Sequence, residues 1–192
     1  PMLEASGIRY ARNTPDMTAA SSIAASNAGN YDLHLALHSN AAAGAQAGQA
    51  RGSIVFYYPG SAEGQRAATL IADGLKTIYP DPNKVRTEAT TTLGEVARVN
   101  APSVLIELAF HDNVEDANWI KANLDEAARV IVLALTEYFG IPFFEAENRR
   151  TGVVDVEWVN LNVSARPQTY SAILAQAPIG AAITIIKYAS GS

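Results

Sequence analysis

Apolar and polar positions along the chain follow two rhythms, and both converge on the stretch Val104-Leu105-Ile106-Glu107-Leu108-Ala109-Phe110. Bounded by Pro102 before and His111-Asp112-Asn113 after, it predicts a strand covered on both faces, of the kind found inside a parallel sheet. Glu107 breaks the apolar run. An ionised carboxylate in such a strand costs several kcal/mol unless it is paired, hydrogen-bonded or close to a metal. Glu107 is therefore a candidate for chemistry; the structural alternative is a buried ion pair with an arginine such as Arg12 or Arg98.

The remaining elements fall in order around it. Ile8 to Arg12 predicts a short strand, and Asp16 and Thr18 precede an Ala/Ser-rich helix reaching about Asn27. In Asp32 to Asn40 the period is two. Leu33, Leu35 and Leu37 share one face of the predicted strand, and His34, Ala36 and His38 share the other. Ala41 to Gly52 has no period and reads as an exposed loop of the kind found beside active sites. Ile54 to Tyr58 predicts a strand, and Ser61 caps a helix ending near Tyr79, before Pro80-Asp81-Pro82-Asn83. Lys84 to Asn100 reads as a polar stretch. Asn113 caps the next helix, and Asn123-Leu124-Asp125-Glu126 has capping-box spacing for a helix closed by Gly140.

Strands alternating with helices over residues 1–144 predict an α/β fold, a mostly parallel sheet with helices on both faces. Ligands in such sheets bind beyond the carboxyl ends of the strands, where His38 and Glu107 fall. Residues 145–151 read as a linker. Over 152–192 the pattern changes to short strands, Val153 to Val159, Leu161 to Val163 and Ala182 to Tyr188, which predict a small all-β module. Pro1 to Gly7 reads as the last turn of a helix with Gly7 at its C-cap, so a helix and what precedes it are expected upstream of Pro1.

Composition narrows the chemistry. With 192 residues, 48% hydrophobic, a net charge of −5 and no basic run, nucleic acid is an unsuitable partner. No apolar run approaches the ~20 residues of a membrane span. There is no cysteine, so a metal would need histidine and carboxylate ligands. His34 and His38, four apart on one strand, have Cα atoms roughly 13 Å apart and do not readily share an ion. His34, between two leucines, reads as an ordinary histidine. His38 stands at the strand end before Ser39 and Asn40, small polar residues able to orient it. His111 reads first as a capping or exposed residue, with substrate or metal binding as alternatives.

Leu35 to Ala41 and Val104 to Asn113, in this order, resemble two signature strands of the zinc-dependent N-acetylmuramoyl-L-alanine amidases, the type 3 amidase family. The surrounding layout is similar over about residues 1 to 140. The resemblance implies one zinc (Zn2+) held by two histidines and a glutamate, with His38 matching the second histidine and Glu107 matching a further glutamate that acts in catalysis. The other two ligands would precede Pro1, so the 192-residue chain alone is expected to retain little zinc and no activity. It implies peptidoglycan as substrate, cleaved between N-acetylmuramic acid and L-alanine, with no nucleic-acid or membrane-inserted partner. It also implies an extracellular or cell-wall location, as an exported bacterial enzyme or a phage lysin. Leu161 to Pro167, Tyr170-Ser171, Ile173 and Ile179-Gly180 are similar to the core of bacterial SH3-like domains, incomplete here. Two alternatives stand beside this reading: a non-catalytic wall-binding protein with a degenerate amidase-like domain, and a zinc hydrolase of another substrate class.

Overall fold

A computed structural model describes residues 1–145, 150–153, 160–164, 173–178 and 180–185. The chain divides into two compact units, residues 9–143 and a second made of residues 1–8 with 144–192. The short helix α1, Met2–Ala5, opens the second unit, and Gly7 follows it with φ +80°.

In the larger unit the capping residues behave as their chemistry dictates. Thr18 and Ser21 form a reciprocal capping box at the start of α2, Ala19–Ala28. The strand β1, His34–Asn40, leads through the loop to β2, Ser53–Tyr57. Ser61 accepts from Gly64 N and starts α3, Ala62–Lys76. Next come β3, Val85–Ala89, the single turn α4, Gly94–Ala97, and β4, Ser103–Phe110. Asn113 Oδ1 accepts from Glu115 N and Asp116 N to open α5, Val114–Ala122, and α6, Leu124–Phe139, ends on Gly140 with φ +66°.

The sheet order is β1-β4-β2-β3, with β4 parallel to β1 and antiparallel to β2, and β2 parallel to β3. This is the mainly parallel sheet expected. It explains the apolar run: β4 has a strand on each side, and all its residues are buried except Glu107, which is intermediate. On one face Ala36, Leu105 and Val96 of α4 form a buried cluster with Phe56 and Leu93 against it. α3 packs on β2 and β4, and α6 packs on α3. A Cβ at Gly74 would lie 3.3 Å from Val130 O, so the absence of a side chain lets α3 and α6 approach closely.

Three expectations are corrected. Residues 8–12 form no strand, because among the described residues no strand lies beside them to complete a ladder. The polar stretch 84–100 contains both β3 and α4; β3 is an edge strand in which Val85 is buried while Arg86 and Glu88 are exposed, so it shows no apolar alternation. Asn123 makes no side-chain cap to α6, since its Nδ2 donates back to Trp119 O of α5, whose end it also closes.

Four further strands fall in the smaller unit. β5, Arg150–Val153, pairs antiparallel with β8, Ala182–Ile185, and β6, Asn160–Ser164, pairs antiparallel with β7, Ile173–Pro178. Leu161 to Val163 is thus a strand as expected, and β8 covers the first part of the expected Ala182 to Tyr188. Residues 154–159, 165–172 and 186–188, on which much of the SH3-like likeness rests, lie outside the described residues.

Candidate active site

The parallel register of β1 and β4 sets His38 opposite Glu107 on one face of the sheet, near the carboxyl ends of both strands. The register then shifts, with Asn40 opposite Phe110, so β4 carries one extra residue beside the site. The two residues singled out from separate sequence stretches are therefore neighbours.

His38, whose side chain is 43% exposed, has Nε2 2.9 Å from Oε2 of Glu95, which is 14% exposed. Glu95 lies on α4 and is placed by its neighbours. Val96 sits in the cluster with Ala36 and Leu105, and its carbonyl accepts from Ser103 Oγ at 2.9 Å. Asn27 clamps the segment after the turn, donating to Arg98 O and accepting from Asn100 N, each at 2.8 Å. Sequence reasoning missed Glu95 because nothing local marks a four-residue helix as the cover of a histidine 57 positions earlier. The only signal was Leu93 and Val96 flanking it at helical spacing.

Glu107 takes part in none of the ion pairs among the described residues, so the pairing with Arg12 or Arg98 is not formed. Its Oε2 is buried without a hydrogen-bond partner. Burial pushes the Glu107 carboxyl above the usual glutamate range, and the nearby His38 and His111 pull it partly back. His34 stays apart: Nδ1 meets Ser26 Oγ at 3.0 Å, Nε2 is buried without a partner, and burial lowers its pKa.

His111 is exposed and does not cap α5. Its backbone N donates to Asn40 O at 2.8 Å, and its Nδ1 lies 3.1 Å from Ser39 O and 3.0 Å from Ser39 Oγ. A carbonyl oxygen only accepts, so Nδ1 is the donor in the contact to Ser39 O. An open groove of about 490 Å³ runs along β1, lined among others by Ser26, Tyr31, His34, Leu37, His38 and Glu95.

Asp116, near the start of α5, is fully buried. It accepts from Gly52 N at 2.9 Å, Phe110 N at 3.0 Å, Tyr79 Oη and Arg51 Nε at 3.2 Å, joining the ends of β2, β4, α3 and α5. Burial pushes its carboxyl up, but the bonds from Tyr79, Phe110, Gly52 and Arg51 outweigh this and hold it below the usual carboxylate range. Gly52 is required there: with φ +118°, a Cβ would lie 2.2 Å from Lys84 O.

For a zinc ion, His38 Nε2, Glu95 and the free Oε2 of Glu107 are suitable donor types. Among the described residues, however, no three His, Cys, Asp or Glu side chains form a group able to hold a metal. These residues alone therefore do not fit a complete zinc site.

Residues 2–137 match the profile of the family described as N-acetylmuramoyl-L-alanine amidase. No curated protein sequence matches. Among solved structures, the catalytic domain of the CD27L endolysin targeting Clostridia difficile is 32% identical with a TM-score of 0.53, covering 62% of this chain and 61% of its own. The chain thus spans about three fifths of that domain's length. The amidase Ami1 from Mycobacterium smegmatis is 19% identical, with a TM-score of 0.60 over 72% of this chain and 70% of its own. CwlD from Clostridioides difficile, solved with the GerS lipoprotein, is 17% identical, with a TM-score of 0.56 over 68% of this chain and 70% of its own. These last two share the fold. With its profile match spanning β1 to β4 and most of α6, the chain belongs to the N-acetylmuramoyl-L-alanine amidase family.

Proposed function

We propose that the protein hydrolyses the amide between the lactyl group of N-acetylmuramic acid and L-alanine of the peptidoglycan stem, with Glu107 as the proton-transferring group and His38 as one ligand of a catalytic zinc. Family membership supports the substrate. The observation that carries the residue roles is the register pairing of His38 with Glu107, an unpaired buried carboxylate oxygen beside an accessible imidazole. A zinc held there, with His38 among its ligands, would supply carbonyl polarisation and lower the pKa of a bound water.

The rest falls to the chain. Glu107 takes a proton from water as the water oxygen adds to the lactyl carbonyl carbon, then delivers it to the nitrogen as the C–N bond breaks. The products are the lactyl carboxylate and a free L-alanine amino terminus. With Oε2 free of other partners, Glu107 can accept that proton without first breaking an internal hydrogen bond. Such an enzyme acts on the wall, outside the cytoplasm or from within a lysed host.

The metal assignment is tested in the full-length protein by elemental analysis after dialysis. Wild type should hold about one zinc, and His38→Ala should lose most of it, since binding weakens as donors are removed. Undiminished zinc in His38→Ala, with the fold intact by circular dichroism, would remove His38 from the ligand set.

A further inference from the structure

The loop that follows His38 runs along the same edge of the sheet, yet its own sequence offers little to hold it. From Ala41 to Gln49 it has no charged and no large apolar side chain, and every residue but Ala42 is exposed. Its only regular feature is one 3₁₀ turn, Gly44–Gln46. Such a segment is expected to sample many conformations.

The turn after β4 prevents this. Asp112 Oδ2 accepts from Ala42 N at 3.2 Å and from Gly48 N at 2.8 Å, tying together two points six residues apart. Asn113 Nδ2 donates to Gly48 O at 2.8 Å, and His111 N donates to Asn40 O at 2.8 Å. Gly48 has φ +70°, a conformation that side chains rarely adopt. The Gly48 N–H holds the Asp112 carboxyl below the usual carboxylate range, so both bonds are to a charged acceptor. Bonds of this class to an exposed loop with no large apolar side chain fix its conformation rather than add to the core.

We propose that Asp112 is a positioning residue for substrate binding, holding the loop 41–48 as a preformed rim along which the peptide stem of peptidoglycan lies beside His38 and Glu107. This rests on the amidase reading for the identity of the ligand. The exposed Ala and Gly side chains are small enough to let an extended peptide approach the loop closely, and the exposed Gln46 and Gln49 add uncharged donors and acceptors. A rim fixed before binding avoids the ordering cost on association.

The test uses the full-length protein, with amide hydrogen exchange of the loop and steady-state kinetics on peptidoglycan. A soluble N-acetylmuramyl pentapeptide should slow exchange across residues 41–48 of wild type. Asp112→Ala should speed exchange at Ala42 and Gly48 by at least about tenfold. If the competent loop is then populated about a tenth of the time, KM rises about tenfold with kcat held within about twofold. Asp112→Asn keeps one acceptor oxygen and should fall between. Unchanged exchange at Ala42 and Gly48 in Asp112→Ala, or faster exchange with unchanged KM, overturns the proposal. Should wild type show no turnover, the amidase reading fails, and protection of residues 41–48 by the muramyl peptide alone decides the rim. Should Asp112→Ala not fold, Asp112→Asn and the wild-type protection carry the same decision.

Discussion

Glu107→Gln is expected to leave the protein folded and to lower kcat on peptidoglycan by about 10²- to 10⁴-fold, the usual worth of a positioned acid–base group. The side chains are nearly isosteric, but the amide cannot take a proton from water. Stability should move the other way. Burial raises the folded pKa of Glu107 above its unfolded value of about 4.5. Its contribution is therefore fully present below that value and declines as pH rises through the folded pKa. In the metal-free protein Glu107→Gln escapes this decline, so denaturant midpoints should show it gaining on wild type as pH rises above about 4.5. Turnover within a few-fold of wild type, measured with the fold verified, would remove Glu107 from the chemistry.

The largest structural effect is expected at Asp116. Asp116→Ala leaves the Gly52 and Phe110 N–H groups and the Tyr79 hydroxyl without their acceptor, and deprives Arg51 of a buried partner. Unsatisfied donors cost about 1–3 kcal/mol each and a broken buried pair about 3–5, so a loss of at least about 3 kcal/mol is expected. Urea denaturation at neutral pH reads it directly; a loss under about 1 kcal/mol would show that water or a rearrangement replaces the carboxylate. The sign of the pH effect is fixed by the depressed pKa. The stability Asp116 confers is present above the unfolded value near 3.9 and disappears as pH falls through the lower folded value. Asp116→Asn should accordingly flatten the acid side of the stability profile below about pH 4.

Legibility in the sequence followed locality. Glu107 was conspicuous because β4 is buried by strands on both sides, and an apolar run with one carboxylate shows that environment directly. His38 emerged from the two-residue period of β1 and its place at the strand end. Thr18, Ser61, Asn113 and Gly140 act within one turn of their own helices, so their roles were readable. The strand β3 was hidden because only Val85 faces the core, while Arg86 and Glu88 meet each other on the surface. Glu95 depends on packing between α4 and the sheet. Asp116 stands in the first turn of α5, where an acidic residue is common as a helix-end charge and carries no mark of its other partners. That it accepts from three separate segments, Arg51-Gly52, Tyr79 and Phe110, follows from tertiary folding alone. Asp112 was hidden for the same reason, its partners Ala42 and Gly48 lying 70 and 64 positions away.

The bond cleaved is read by end-group analysis of purified peptidoglycan digested by the full-length protein, with Glu107→Gln alongside. Wild type is expected to release new L-alanine amino termini and no new reducing sugar ends, and Glu107→Gln neither. Reducing ends, amino termini other than L-alanine, or intact peptidoglycan after digestion by zinc-loaded wild type would contradict the amidase reading.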